Sequence, residues 1–136
     1  MPRPTRANYR ALATYRHALR HFLHFSTEAA RAAGYTQQQY QVLLAVKSTP
    51  GSTGLTIGEL AETMHLRHHS AVGLVDRLTR RGLLKRKTDA EDRRRVRVCL
   101  TAKGEKVLVR LAIVHLEQLR RLGPQLVNSL RKLGAG

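Results

Sequence analysis

The sequence predicts a mainly α-helical fold with one small β-hairpin. The chain has 136 residues, the size of a single domain. It has no Trp and only 4% aromatic residues, so its core must consist mostly of Leu, Val, Ile and Ala, which suits packed helices. Apolar residues recur at steps of three and four along most of the chain and alternate only between residues 84 and 100.

The first element is a long helix from Thr5 to Ala33, which Gly34 ends. One seam of this helix is predicted to hold Leu12, Tyr15, Leu19, Phe22, Ser26, Ala29 and Ala33. About 28 residues span roughly 42 Å at 1.5 Å per residue. Because a small single-chain core cannot cover that length, the helix indicates a partner chain.

The second helix is predicted to begin after an N-cap at Thr36 and to run to Lys47, before a stop at Pro50-Gly51. Its buried face is expected to include Tyr40, Leu43, Leu44 and Lys47.

Two shorter helices follow at helix-turn-helix spacing. Thr56 and Glu59 form a capping-box pattern that opens the first of them, with Ile57, Leu60, Ala61 and Met64 as its apolar positions. A turn at His65 and Leu66 leads to a helix over 67–81 that ends at Gly82. Its predicted buried stripe is Ala71, Leu74, Val75 and Leu78.

The period then changes to two, which predicts a hairpin wing. Leu84 and Arg86 lie in one strand, Val96, Val98 and Leu100 in the other, and "KTDAEDRRR" joins them. Thr101 caps a further helix with Leu108, Leu111, His115, Leu119 and Leu122 in its seam. Gly123-Pro124 is expected to break it before a last short helix with Leu126, Val127, Leu130 and Leu133. We therefore expect a winged helix-turn-helix lobe at 36–100, between an N-terminal helix at 1–35 and C-terminal helices at 101–136.

The charge of the chain favours a polyanionic partner. Lys and Arg number 25 against 9 Asp and Glu, a formal net charge of +16. Nucleic acid is the leading candidate and an anionic membrane the second. The longest apolar run, Val42 to Val46, is far below the roughly 20 residues that span a bilayer, so we expect no membrane partner and a cytoplasmic protein.

Two basic segments are placed where a winged lobe meets DNA. The outward side of the second short helix presents Arg67, His68, His69, Ser70, Gly73 and Arg77. His69 and Ser70 are positioned to reach base edges, and Arg67 and Arg77 to bind phosphates. The wing supplies Lys87, Arg93, Arg94 and Arg95, and arginine at a wing tip suits a narrow A·T-rich minor groove.

The stretch "LTIGELAETMHLRHHSAVGLVDRLTRRGLLKRKTDAEDRRRVRVCLTAKGEKVL", Leu55 to Leu108, resembles the core of the MarR (multiple antibiotic resistance regulator) transcription factors. The resemblance implies that 36–100 is a DNA-binding lobe and that the helices at 1–35 and 101–136 are dimerisation helices. The first and last helices would interleave in a homodimer bound to a pseudopalindromic operator in double-stranded DNA. The resemblance also implies a repressor whose DNA binding responds to a small aromatic ligand.

The same resemblance assigns roles to further residues. In the wing, Asp92 braces Arg94. A physical argument adds Asp89 as a second bracing acid, because a carboxylate in a DNA-facing loop costs affinity near phosphate and needs a structural reason to be there. Tyr15, Phe22, Tyr40 and His115 are candidates to line the ligand pocket. The chain departs from the family at Arg67, where relatives carry Ser or Thr, and at Gly73, where they carry a polar or basic residue, so the operator sequence cannot be carried over.

Several alternatives stay open. His17, His21 and His24 lie at i, i+4 and i+7, a spacing that can chelate a transition metal, so a metal-sensing regulator is one alternative. A nucleoid-type architectural protein without sequence choice is another. His115 is either a hydrogen-bonded core residue or a ligand contact. No catalytic constellation stands at a meaningful spacing, so we expect neither an enzyme nor a cofactor.

Overall fold

The computed structural model describes residues 2–50 and 53–134 and is mainly helical with a small three-stranded sheet. This confirms the predicted fold class. Gly51, part of the predicted stop after the second helix, lies outside the described residues. No helix among the described residues is long and apolar enough to cross a membrane. The elements in chain order are α1 Arg6–Ala32, α2 Gln37–Ser48, β1 Leu55–Thr56, α3 Ile57–Thr63, α4 His68–Arg80, β2 Leu84–Thr88, β3 Val96–Leu100 and α5 Ala102–Gly134.

Threonines cap four of the five helices. The caps at Thr36, Thr56 and Thr101 were predicted. Thr5 caps α1 and Thr36 caps α2 through full capping boxes with Asn8 and Gln39. Thr101 accepts a hydrogen bond from the Gly104 amide at 3.0 Å and so caps α5. Each hydroxyl satisfies an amide that the helix itself leaves without an acceptor.

The cap of α3 differs in one detail from the predicted capping box. The Glu59 amide donates to the Thr56 hydroxyl at 3.1 Å, as expected. The Glu59 carboxylate, however, accepts from the Thr56 hydroxyl at 2.9 Å instead of from its backbone amide.

The lobe core forms where α2, α3, α4 and the sheet meet. The stripe predicted for α4 is confirmed, since Ala71, Leu74, Val75 and Leu78 are all buried. On α2 the predicted face is partly wrong: Leu44 is 43% exposed, and the buried positions include Val42 and Val46 instead. Neighbouring positions on this short helix are both apolar, so their spacing alone does not decide which of them faces inward.

The sheet has one strand that the sequence pattern did not predict. Its order is β1-β3-β2, with antiparallel pairing throughout, and Leu55 of β1 lies opposite Val98. A strand of two residues is too short to show alternation. Gly54, which precedes it, has φ +78°, and a Cβ there would collide with the Val98 carbonyl, so the close approach of β1 to β3 requires glycine.

Helices α1 and α5 pack antiparallel and form a stem. Small residues of α1 make its buried seam: Ala11, Ala18, Ser26 and Ala30. The seams predicted for the two helices were each partly wrong, because Leu12 of α1 and Leu119 of α5 are exposed. Small side chains let the two helix backbones approach closely, and the larger apolar residues lie to the side of the contact. Tyr15, Leu19, Phe22 and Ala29 are half-buried.

The predicted break at Gly123-Pro124 is wrong, because α5 continues through Pro124 to Gly134. An internal proline removes one hydrogen bond and costs about 3 kcal/mol in a helix interior. Burial of Leu122 and Ser129 on either side of the proline holds both halves of α5 against α1. Pro124 itself is exposed, so its ring displaces no packed side chain.

Candidate nucleic-acid interface

Helix α4 presents to solvent the residues predicted to contact DNA. Arg67 is the N-cap and makes no side-chain cap hydrogen bond, in keeping with its departure from Ser or Thr. His68, His69, Ser70 and Arg77 are exposed, and Gly73 is half-buried. A Cβ at Gly73 would meet only the Arg77 guanidinium at 3.5 Å, an ordinary contact, so packing within the protein does not require glycine there.

The turn between α3 and α4 fixes the direction of α4. His65 adopts φ +54°, an uncommon left-handed conformation for a residue other than glycine. The Leu66 amide donates to the Ala61 carbonyl at 2.8 Å, and the His65 amide donates to the Glu62 carbonyl at 3.2 Å. These bonds close the end of α3 and set the angle at which α4 leaves.

An ion pair joins α4 to the wing. The Arg86 guanidinium of β2 contacts the Asp76 carboxylate of α4. Arg86 was predicted only as a strand residue, and Asp76 is ten residues away in the sequence. The pair orients the two cationic elements of the lobe relative to each other.

At the wing tip, Asp92 contacts Arg94 as the resemblance implied. The Asp92 carboxylate accepts from the Arg94 amide at 3.0 Å and from Arg94 Nε at 3.3 Å. The Arg94 side chain is nevertheless 93% exposed. The aspartate therefore restrains the arginine while the guanidinium stays available to an external anion.

Asp89 restrains a different arginine from those at the wing tip. Its carboxylate accepts from the Glu91 amide at 3.0 Å and from Arg97 Nε at 3.3 Å. The Glu91 hydrogen bond, together with the Arg97 guanidinium, holds the pKa of Asp89 below its usual range even though desolvation opposes that shift. Arg97 also donates to the Gly54 carbonyl at 3.3 Å, so it links the wing to β1.

The four basic residues predicted for the wing differ in their surroundings. Lys87, Arg93 and Arg94 are exposed. Arg95 is also exposed, but its guanidinium lies 3.9 Å from the Glu59 carboxylate of α3. Arg93 and Arg94 are therefore the best placed of the wing arginines to reach a phosphate or a groove.

Arg81, the C-cap of α4, is held by contacts with distant parts of the chain. Its guanidinium lies 4.0 Å above the Tyr35 ring, and its Nη1 donates to the Gly34 carbonyl at 2.8 Å. The Arg81 carbonyl in turn accepts from Lys103 Nζ at 2.9 Å. Arg81 thus joins the end of α4 to the α1–α2 corner and to α5, contacts across 47 and 22 residues that local pattern does not reveal.

Arg81→Ala should lower the free energy of unfolding by about 1–2 kcal/mol, the sum of one hydrogen bond and one exposed cation–π contact. Denaturant titration at fixed protein concentration measures the change. Arg80→Ala is the matched control, since Arg80 is exposed and we expect it to change stability by less than about 0.5 kcal/mol. Equal effects of the two substitutions would contradict the assigned role of Arg81.

His115 is a hydrogen-bonded core residue, the first of its two interpretations. It is 4% exposed, and its Nδ1 lies 2.6 Å from the Leu111 carbonyl, which can only accept. Nδ1 therefore carries a hydrogen, and in the neutral ring Nε2 accepts from the Ser26 hydroxyl at 2.7 Å. Tyr40 stacks on the imidazole at 4.3 Å between centroids, and burial raises the pKa of Tyr40.

The candidate pocket residues are only partly brought together. Phe22 meets His115 edge-on at 6.1 Å between ring centroids, and Phe25 does so at 5.8 Å. Tyr15 lies two helical turns before Phe22 and is half-buried. Phe22 and Tyr40 therefore both pack on His115 where α1, α2 and α5 meet.

The candidate metal ligands His17, His21 and His24 are all exposed on α1. Over residues 2–50 and 53–134, no three His, Cys, Asp or Glu side chains come together as a metal site. The histidine spacing therefore does not produce a metal centre within the described part of one chain.

Comparison with known proteins points to one family. The model of the MarR family matches residues 33–95. The chain is 34% identical over 81 residues to the transcriptional activatory protein BadR of Rhodopseudomonas palustris, which covers 60% of this chain and 46% of BadR. The chain spans about half the length of the curated relatives it matches.

Solved structures share the fold. AbsC, a MarR family transcriptional regulator from Streptomyces coelicolor, superposes with a TM-score of 0.78 at 20% identity, over 97% of this chain and 92% of AbsC. A mutant of Staphylococcus aureus MepR, bound to an oligodeoxyribonucleotide, superposes with a TM-score of 0.68 at 22% identity, over 82% of this chain and 80% of that one.

Proposed function

Because residues 33–95 match the model of the MarR family, we propose that this chain is a dimeric transcriptional regulator that binds double-stranded DNA with sequence preference. In this proposal the lobe at 36–100 binds DNA, and the terminal segments 1–35 and 101–136 form the dimer. The relatives reported above are named as regulators of transcription, and the MepR mutant was solved with an oligodeoxyribonucleotide.

The observation that carries the proposal is the pairing of α4 with the wing. Both elements present exposed cationic side chains, Arg67 and Arg77 on α4 and Arg93 and Arg94 on the wing. The Arg86–Asp76 ion pair holds the two elements together. A helix of this kind fits the major groove, and an arginine at the wing tip suits the adjacent minor groove.

The dimer is supported by apolar side chains that one chain leaves exposed on α5. Val109, Ile113, Leu116, Val127 and Leu130 are between 46% and 55% exposed and lie on one side of the helix, away from its buried seam. Large apolar side chains exposed together on one side of a helix commonly mark a protein–protein contact. Self-association of the stems would cover it and would set two lobes side by side for two half-sites.

Regulation is proposed to be repression by occupation of the operator, relieved by a small aromatic ligand. We place the ligand at the junction of α1, α2 and α5 around His115, because Tyr40 there connects the lobe to the stem. A ligand acts only if it binds one separation of the two lobes better than the other, since equal affinity shifts no population.

Competition between duplexes tests the proposal. A duplex enriched from a random pool should resist an excess of random duplex at physiological salt, because specific binding is typically 10³- to 10⁷-fold tighter than non-specific binding, an order-of-magnitude range. If random DNA competes equally well and only salt changes the affinity, the net charge of +16 acts without sequence choice, as in a nucleoid-type protein.

Arg94→Ala and Arg77→Ala should have different sequence dependence. Arg94→Ala is expected to weaken binding chiefly to sites with A·T-rich flanks, because it removes a charge from a narrow minor groove. Arg77→Ala is expected to weaken all sites alike and to reduce the salt slope by about 1, as for a phosphate contact. Fluorescence anisotropy with paired duplexes measures both, and equal losses on every duplex for both variants would refute the assignment.

A further inference from the structure

Helix α1 carries a second cationic surface outside its contact with α5. The seam to α5 includes Ala11 and Ala18, and the opposite side of the helix is basic. We call this side the α1 cationic face; its residues are Arg6, Arg10, Arg16, His17, Arg20 and His21, all exposed. Arg10 lies at the edge of the face that is nearest α5. The DNA-binding role of the lobe does not use these residues.

The arginines of the α1 cationic face lack protein counter-ions. Among the described residues, no carboxylate lies within 4.0 Å of Arg6, Arg10, Arg16 or Arg20. In the lobe, Arg86, Arg94 and Arg97 each contact an aspartate, whereas Arg67 and Arg77, which are proposed to meet DNA, have no such contact among the described residues. The one acidic residue of α1, Glu28, lies near the other end of the helix, 3.9 Å from Arg31.

The spacing of these arginines places like charges next to each other. Arg6 and Arg10 are four residues apart, as are Arg16 and Arg20, so each pair shares one side of the helix. Like charges at this spacing destabilise an isolated helix. A bound polyanion would remove the repulsion, and a face that served only solubility would not need the pairs.

The α1 cationic face lies far from the proposed DNA-binding surface of α4 and the wing. Arg81 of the lobe meets the end of α1 at Gly34. At 1.5 Å per residue, Arg20 lies about 21 Å from that contact along α1 and Arg6 about 42 Å. The α1 cationic face is therefore a separate surface from the one that α4 and the wing offer to DNA.

We propose that the α1 cationic face binds a second segment of double-stranded DNA through its phosphates, without sequence choice, so that one protein assembly holds two duplexes. The row from Arg6 to Arg20 is about 21 Å long and needs a continuous line of negative charge. A duplex offers one charge per roughly 1.7 Å of its axis and meets this requirement along any sequence. The lobe need not select a sequence for this contact to form.

A sandwich assay with the full-length chain tests the proposal. One duplex of mixed sequence is immobilised and saturated with protein, and a labelled second duplex is then added at several salt concentrations. The test variant is Arg16→Gln/Arg20→Gln. The matched control is Lys106→Gln/Arg110→Gln, which removes an equally spaced, exposed basic pair from α5. Gln has nearly the helix propensity of Arg and Lys, so both variants should fold, and circular dichroism checks this.

We expect the wild type and the α5 control to retain the second duplex alike. The α1 variant should retain it at least about tenfold more weakly, with a salt slope smaller by about 1.8, or 0.9 for each lost phosphate contact, and should still bind the first duplex. Equal losses in both variants would show an effect of net charge alone and overturn the proposal. Failure of the wild type to retain a second duplex would also overturn the proposal. The same holds if polyglutamate displaces the second duplex at a lower concentration of negative charge than competing DNA does.

Discussion

Leu116→Glu is expected to make the protein monomeric and to weaken its binding to a duplex with two half-sites by about 10²- to 10⁴-fold. Leu116 is 55% exposed on α5, in the middle of the apolar surface that the proposed dimer covers. A buried carboxylate without a partner would oppose association. The second lobe would then bind as an independent molecule and lose the advantage of linkage. Sedimentation velocity and anisotropy titration measure the two effects.

Leu44→Glu provides the control for this substitution. Leu44 is 43% exposed, but it lies on α2 and outside the stem. We expect this variant to remain dimeric and to bind a two-half-site duplex within about threefold of the wild type, since surface substitutions usually change free energies by less than about 0.5 kcal/mol. A dimeric Leu116→Glu variant, or equal losses in both variants, would contradict the proposed interface.

His115→Ala is expected to have the largest effect on stability, a loss of about 3 kcal/mol in the free energy of unfolding. The substitution removes a buried ring that stacks on Tyr40 and leaves a cavity between α1, α2 and α5. It also removes the hydrogen bonds of the imidazole to Ser26 and to the Leu111 carbonyl. Chemical denaturation at one fixed protein concentration measures the loss, because the proposed dimerisation would make stability depend on concentration.

His21→Ala is the control for the loss of a histidine. His21 is exposed on α1, and Ala is the better helix former, so we expect stability to stay within about 0.5 kcal/mol of the wild type. A His115→Ala variant as stable as His21→Ala would mean that His115 does not hold the lobe to the stem.

Features set by local physical chemistry were predictable from the sequence. Thr36, Thr56 and Thr101 begin helices where the capping pattern placed them, because a cap depends on residues only three positions apart. The buried stripe of α4 was also predictable, since Ala71, Leu74, Val75 and Leu78 recur at helical spacing on one face. The Asp92–Arg94 contact followed from the family resemblance and lies within one turn.

Features set by contacts between distant segments were not predictable. The roles of Arg81 and Arg97 depend on Gly34 and Gly54, which lie 47 and 43 residues away. Helix α1 has apolar residues on more than one side, so periodicity placed Leu12 inward, whereas packing selected the smaller Ala11. The continuity of α5 through Pro124 likewise depends on packing against α1, which opposes a local preference to break.

Selection of binding sites from a pool of random duplexes tests the central claim most directly. The pool should converge on a pseudopalindrome whose two half-sites lie about one helical turn, roughly 34 Å, apart between centres, and footprinting should show both halves protected together. A pool that stays random after repeated selection, or that converges on one isolated half-site bound by a single chain, would contradict a dimeric reader of DNA sequence.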